Sequence, residues 1–122
     1  MSYLLEYASR APVPARRVRR GARLDERALL NRPDFDGGAF VGVYVEDTSG
    51  RKRRLRGAPL APRLRVRIGD CTNEIALEFS VESAEVRENS LHKIDTLLGA
   101  LHRFRDGLEA EAELYATREA GR

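Results

Sequence analysis

The spacing of apolar residues changes once along this chain, near Ser90, and that change limits the folds open to it. Before it, apolar residues recur at every second position. After it, they recur at every third or fourth. The first spacing belongs to a strand with one buried face, the second to an amphipathic helix. Strands grouped ahead of a single helix imply an α+β fold, not alternating βαβ units.

Val41, Val43 and Val45 alternate with Phe40, Gly42 and Tyr44. Asp47, Thr48, Ser49 and Gly50 form a turn that leads into Arg51–Arg56, so residues 39–56 are expected to be a hairpin. Leu64, Val66 and Ile68 alternate with Arg63, Arg65 and Arg67. After a turn at Gly69–Asn73, Ile75, Leu77, Phe79 and Val81 alternate with polar or small residues, which predicts a second hairpin. From Ser90 onward Leu91, Ile94, Leu97, Leu98, Leu101, Phe104 and Leu108 share one side of a helix. Asn89 or Ser90 is the expected N-cap. Gly107 leaves open a break into two helices.

The expected fold is therefore a four-stranded antiparallel sheet, made of two consecutive hairpins and packed on one long C-terminal helix. This sheet-plus-helix domain spans 39–122, and residues 1–38 form a basic N-terminal arm, the whole making one globular unit. Within the arm, Ala11-Pro12-Val13-Pro14 is extended, and Leu24–Asn31 is expected to form a short helix. Pro33, Asp34, Asp36, Gly37 and Gly38 mark a loop. The run 51–56 has Leu55 as its one large apolar residue among basic neighbours. That places it at a sheet edge or on a projecting basic arm.

Charge is divided by position. Residues 1–67 carry 16 Lys/Arg against 7 Asp/Glu, and residues 68–122 carry 6 against 12, for a net +3. Two tracts hold most of the excess: Arg16, Arg17, Arg19, Arg20 and Arg23, then Arg51, Lys52, Arg53, Arg54 and Arg56. Such tracts neutralise phosphates and release counterions, which points to nucleic acid. They suit an acidic protein surface as well, and the second tract also serves to protect an edge. Twenty of the basic residues are Arg, a bias that a GC-rich genome produces without selection for phosphate contacts. Arg65 or Arg67 falls across from Glu78 when Ile68 pairs with Ile75 or Leu77, so this third row is expected to stabilise a hairpin. Phe40 and Tyr44 flank Gly42 on one face, and the shallow slot between them is a candidate platform for stacked bases. The competing expectation is that Tyr3, Leu5 and Tyr7 cover that face.

No catalytic constellation appears. His92 and His102 are ten positions apart, and Cys71 stands alone, so neither metal spacing nor a nucleophile–base pair is present. No phosphate-binding loop occurs. The sequence therefore predicts no cofactor and a non-enzymatic protein. No apolar run reaches the ~18 residues that span a membrane. With one cysteine and no leader pattern at the N-terminus, a cytoplasmic location is expected.

The order of four strands and then a helix is similar to that of modules in Pur-alpha, Whirly and coactivator-type single-strand-binding proteins, over about residues 39–120. The resemblance is one of topology, and it assigns no functional residue. It implies a sheet that binds single strands and a protein that dimerises. The helix points the same way on its own residues, because Leu101, Leu108, Ala112 and Tyr115 extend its apolar seam and are expected to form a homodimer interface.

Overall fold

The computed structural model describes residues 21–50 and 61–121, together with the strand backbone at 15–16, 54–55 and 58–59. The fold is α+β: an antiparallel sheet and one long C-terminal helix. The strands are β1 (Ala15–Arg16), β2 (Ala22–Leu29), β3 (Phe40–Glu46), β4 (Arg54–Leu55), β5 (Ala58–Pro59), β6 (Leu64–Asp70) and β7 (Asn73–Glu78). The helix, α1, is Ala84–Ala120. The main sheet has the order β1-β2-β3-β6-β7, and β4 and β5 pair with each other. The chain divides into two compact units, one holding the sheet and extending to Ser90, the other holding α1 from Leu91.

Four long strands in two consecutive hairpins do form, but the first hairpin is β2–β3, not 39–56. Leu24–Asn31 is not a helix: Ala22–Leu29 is a strand. The reason is pairing. Leu24 lies opposite Val45, Glu26 opposite Val43 and Ala28 opposite Val41, so β2 supplies a neighbour for the valine face of β3. On the other side of β3, Leu64, Val66 and Ile68 meet the same three valines. A strand bearing Leu55 alone offers no comparable apolar face, and its partner is the two-residue β5. The second hairpin follows expectation. Ile68 pairs with Ile75, Val66 with Leu77 and Arg65 with Glu78 across a turn at Cys71 and Thr72.

These registers give the sheet two unlike faces, because side chains alternate along each strand. One face carries Leu24, Ala28, the three valines, Leu64, Val66, Ile68, Ile75 and Leu77, with Glu26 among them. The other carries Asp25, Arg27, Phe40, Gly42, Tyr44, Arg65, Arg67, Glu74 and Glu78. Phe40 is the one buried large hydrophobic among the described residues, at 9% exposure.

Helix α1 starts earlier than its apolar stripe. Ser83 is the cap: its Oγ accepts from the Val86 amide at 3.2 Å. Ser90 has another role. Its Oγ donates to the Ser80 carbonyl at 2.6 Å and accepts from the Ser80 amide at 3.0 Å, tying the first turns of the helix to the chain leaving β7. Arg87 donates to the Val81 carbonyl at 3.0 Å in the same region. The helix then runs unbroken through Gly107 for 37 residues, about 55 Å. Among the described residues no helix is long and apolar enough to cross a membrane.

Candidate functional site

The polar face of the sheet encloses a shallow concavity of about 580 Å³. Its floor is Gly42 and Tyr44, and its walls are Asp25, Glu26 and Arg27 on β2 and the row Arg63, Arg65 and Arg67 running into β6. Pairing places them there. Gly42 has Arg27 on one side and Arg67 on the other, and Tyr44 has Asp25 and Arg65. The slot beside Gly42 is real space: a Cβ built on it would find its nearest atoms at 3.9 Å, ordinary contact distance.

Phe40 closes one end of this concavity and is not open to a ligand. The Arg27 guanidinium lies 4.1 Å from its ring centroid and that of Arg67 lies at 5.7 Å. Arginine over an aromatic face is a favourable cation–π contact, and here it holds Arg27 against the sheet. Tyr44 is half-buried and keeps its place on the floor.

Two of the arginines are bound to carboxylates of the edge strand. Arg65 Nε donates to Glu78 Oε1 at 2.6 Å, and Arg67 Nη2 lies 2.5 Å from Glu74 Oε1. The hydrogen bond from Arg67 holds the Glu74 carboxyl below its usual value of 4.5, and the charges of Arg67, Arg27 and Arg65 add to the effect. A carboxyl whose folded value is depressed contributes stability above its unfolded value and loses it as pH falls through the folded one. Acidification below about pH 4.5 is therefore expected to release Arg67 and loosen the β6–β7 edge. An NMR titration of the Glu74 side chain should give a midpoint below that of a model peptide. An unshifted midpoint would mean the pair does not persist in solution.

Of the expected contact residues, Arg17, Arg19, Arg20, Arg51, Lys52, Arg53 and Arg56 lie outside the described residues, as do Tyr3, Leu5 and Tyr7. Arg16 is a residue of β1, in register with Glu26, and Arg54 is a residue of β4, in register with Pro59. Phe40 and Tyr44 share one face of β3, as their alternation requires. Arg27 escaped sequence reasoning because it acquires a face only once Ala22–Leu29 is a strand. On α1, Leu108 and Tyr115 are 57% and 60% exposed, Leu101 is 38% exposed, and Ala112 is exposed.

Among the described residues no group of three or more His, Cys, Asp or Glu side chains is placed to hold a metal ion. His92 faces Thr96 and His102 faces Asp106, each a pair on the helix surface. No family model, no curated protein and no solved structure matches the chain.

Proposed function

We propose that this protein is a small, non-enzymatic module that binds nucleic acid in the cytoplasm. The single observation that carries the reading is the convergence of Arg27, Arg63, Arg65 and Arg67 on the Gly42–Tyr44 slot. A phosphodiester strand laid along the β6 side of this face meets Arg63, Arg65 and Arg67, with Arg27 across from them beyond Asp25, and Tyr44 offers a surface for one base. Arg16, Arg17, Arg19 and Arg20, with Arg51, Lys52, Arg53, Arg54 and Arg56, add positive charge and contact phosphates. No cofactor takes part.

The test is binding to labelled single- and double-stranded DNA and RNA, followed by fluorescence anisotropy from ~50 to ~300 mM salt. Affinity should fall steeply with salt, with a slope of several ions per complex, and single strands should bind best because their bases are free to stack. Absence of binding at the lowest salt would sink the reading. The arginines would then be assigned to an acidic protein partner.

A second reading, a protein–protein module that self-associates, is favoured by a different observation. Leu91, Phe104, Leu108 and Tyr115 of α1 are each more than half exposed. Apolar side chains repeated along a helix in water are a common signature of a partner surface. The two readings are compatible, because the slot is built from the sheet and the seam from α1.

A further inference from the structure

We infer that α1 pairs with α1 of a second copy in the antiparallel sense, about a two-fold axis close to Gly107. The inference rests on the reading of α1 as a self-association surface and adds its partner geometry. The seam is Leu91, Ile94, Leu98, Leu101, Arg105, Leu108, Ala112 and Tyr115, spaced alternately by three and four, and it lies on one uninterrupted helix. Three features of the seam set its direction.

The first is Arg105, the one charged residue in this stretch. A parallel, in-register pair sets it level with Arg105 of the second copy, two like charges in an apolar seam, whereas the antiparallel pair offsets the two by three residues, about 4.5 Å along the axis. The second is size. The same parallel pair would set Ala112 against Ala112 of the second copy and leave a gap. The antiparallel pair sets Leu101 opposite Ala112 of the second copy, Leu98 opposite Tyr115 of the second copy, and Arg105 opposite Leu108 of the second copy, so each Ala112 meets a leucine and not a second alanine.

The third is charge along the helix. Before Gly107, Arg87, Lys93, Arg103 and Arg105 balance Glu85, Glu88, Asp95 and Asp106. After it, Glu109, Glu111, Glu113 and Glu119 stand against Arg118 alone. Parallel helices would lay two acidic halves side by side. Antiparallel helices lay each acidic half along the half that holds Arg103 and Arg105. Arg105 already reaches Glu109 of its own helix at 3.5 Å. In the antiparallel pair Glu109 of the second copy comes within its reach as well. The matched seam runs from Leu98 to Tyr115 in each helix, about 27 Å.

Light scattering and cysteine trapping test this together. In a Cys71→Ser background, which removes the exposed native thiol, Leu101→Cys and Ala112→Cys proteins are oxidised separately and as a mixture. The antiparallel pair predicts a disulfide only in the mixture, because like positions are about 16 Å apart along the axis and a disulfide needs Cβ atoms within about 4.5 Å. Disulfides within each single variant would mean a parallel pair, overturning the direction while keeping self-association. A dimer mass with no trapping overturns the register. A monomer mass at all concentrations overturns both. Leu108→Glu is expected to weaken the dimer by more than about tenfold with its helical circular dichroism retained. Unaltered dimerisation of that variant would move the interface off this seam.

Discussion

Gly69→Ala lowers the stability of the sheet by about 1–3 kcal/mol, a large effect for a single methyl group. Gly69 pairs with Phe40 across β3 and β6, and a Cβ at that position would come within 2.9 Å of Cδ1 and 3.0 Å of Cζ of the Phe40 ring, and closer still to Cε1. The ring has no easy escape. Arg27 lies over it at 4.1 Å and Arg67 beside it at 5.7 Å. Glycine across from an aromatic lets the ring lie flat over the neighbouring strand, and Phe40 owes its burial to that arrangement. Chemical denaturation should show the loss as a lower midpoint with an unchanged slope. Gly42→Ala is the matched control on the same face, since its Cβ would meet nothing closer than 3.9 Å. That variant should be neutral or slightly stabilising, because alanine gives up less backbone entropy than glycine. Equal midpoints for the two variants would show that the Phe40–Gly69 contact does not restrain the sheet.

The Phe40–Gly69 pair also shows where sequence reasoning reaches and where it stops. Alternation along Val41, Val43 and Val45 is a local signal, and it places Phe40, Gly42 and Tyr44 together without knowledge of any other strand. The β6–β7 hairpin is local in the same sense, so the pairing of Arg65 with Glu78 follows from matching apolar residues across a short turn. The β3–β6 pairing is different. It joins residues separated by the whole 47–63 connection, and only this pairing brings Gly69 to Phe40 and Arg67 to Gly42. Ala22–Leu29 was illegible for a related reason. Its positions on the valine face are Leu24, Glu26 and Ala28, so alternation is weak, and its strand character comes from the valines it meets. Without β2 there is no wall of Arg27, and the candidate site is half a site. The cap of α1 follows the same logic: Ser90 reads as an N-cap until Ser80 is seen beside it, after which Ser83 fills that role.

Reversing charge in the concavity and in the second basic tract should separate the two contributions to binding. Arg63→Glu removes a wall of the slot at an exposed position, and Arg53→Glu with Arg54→Glu removes charge from the second basic tract. Each arginine that neutralises a phosphate contributes about one unit to the salt slope. The double reversal should therefore flatten the slope by about two units and weaken binding more than about tenfold at low salt, with no change in preference among strands. Arg63→Glu should flatten the slope by about one. Gly42→Val completes the set. A branched side chain suits a strand, enters the slot from a Cβ that meets nothing closer than 3.9 Å, and removes no positive charge. If bases enter the slot, this variant loses the preference for single strands while keeping its salt slope. If single- and double-stranded binding change together, or neither changes, Tyr44 stacks no base and the sheet acts through charge alone. An unchanged slope in the double reversal would remove Arg53 and Arg54 from the interface and leave the arginines around Gly42 as its electrostatic centre.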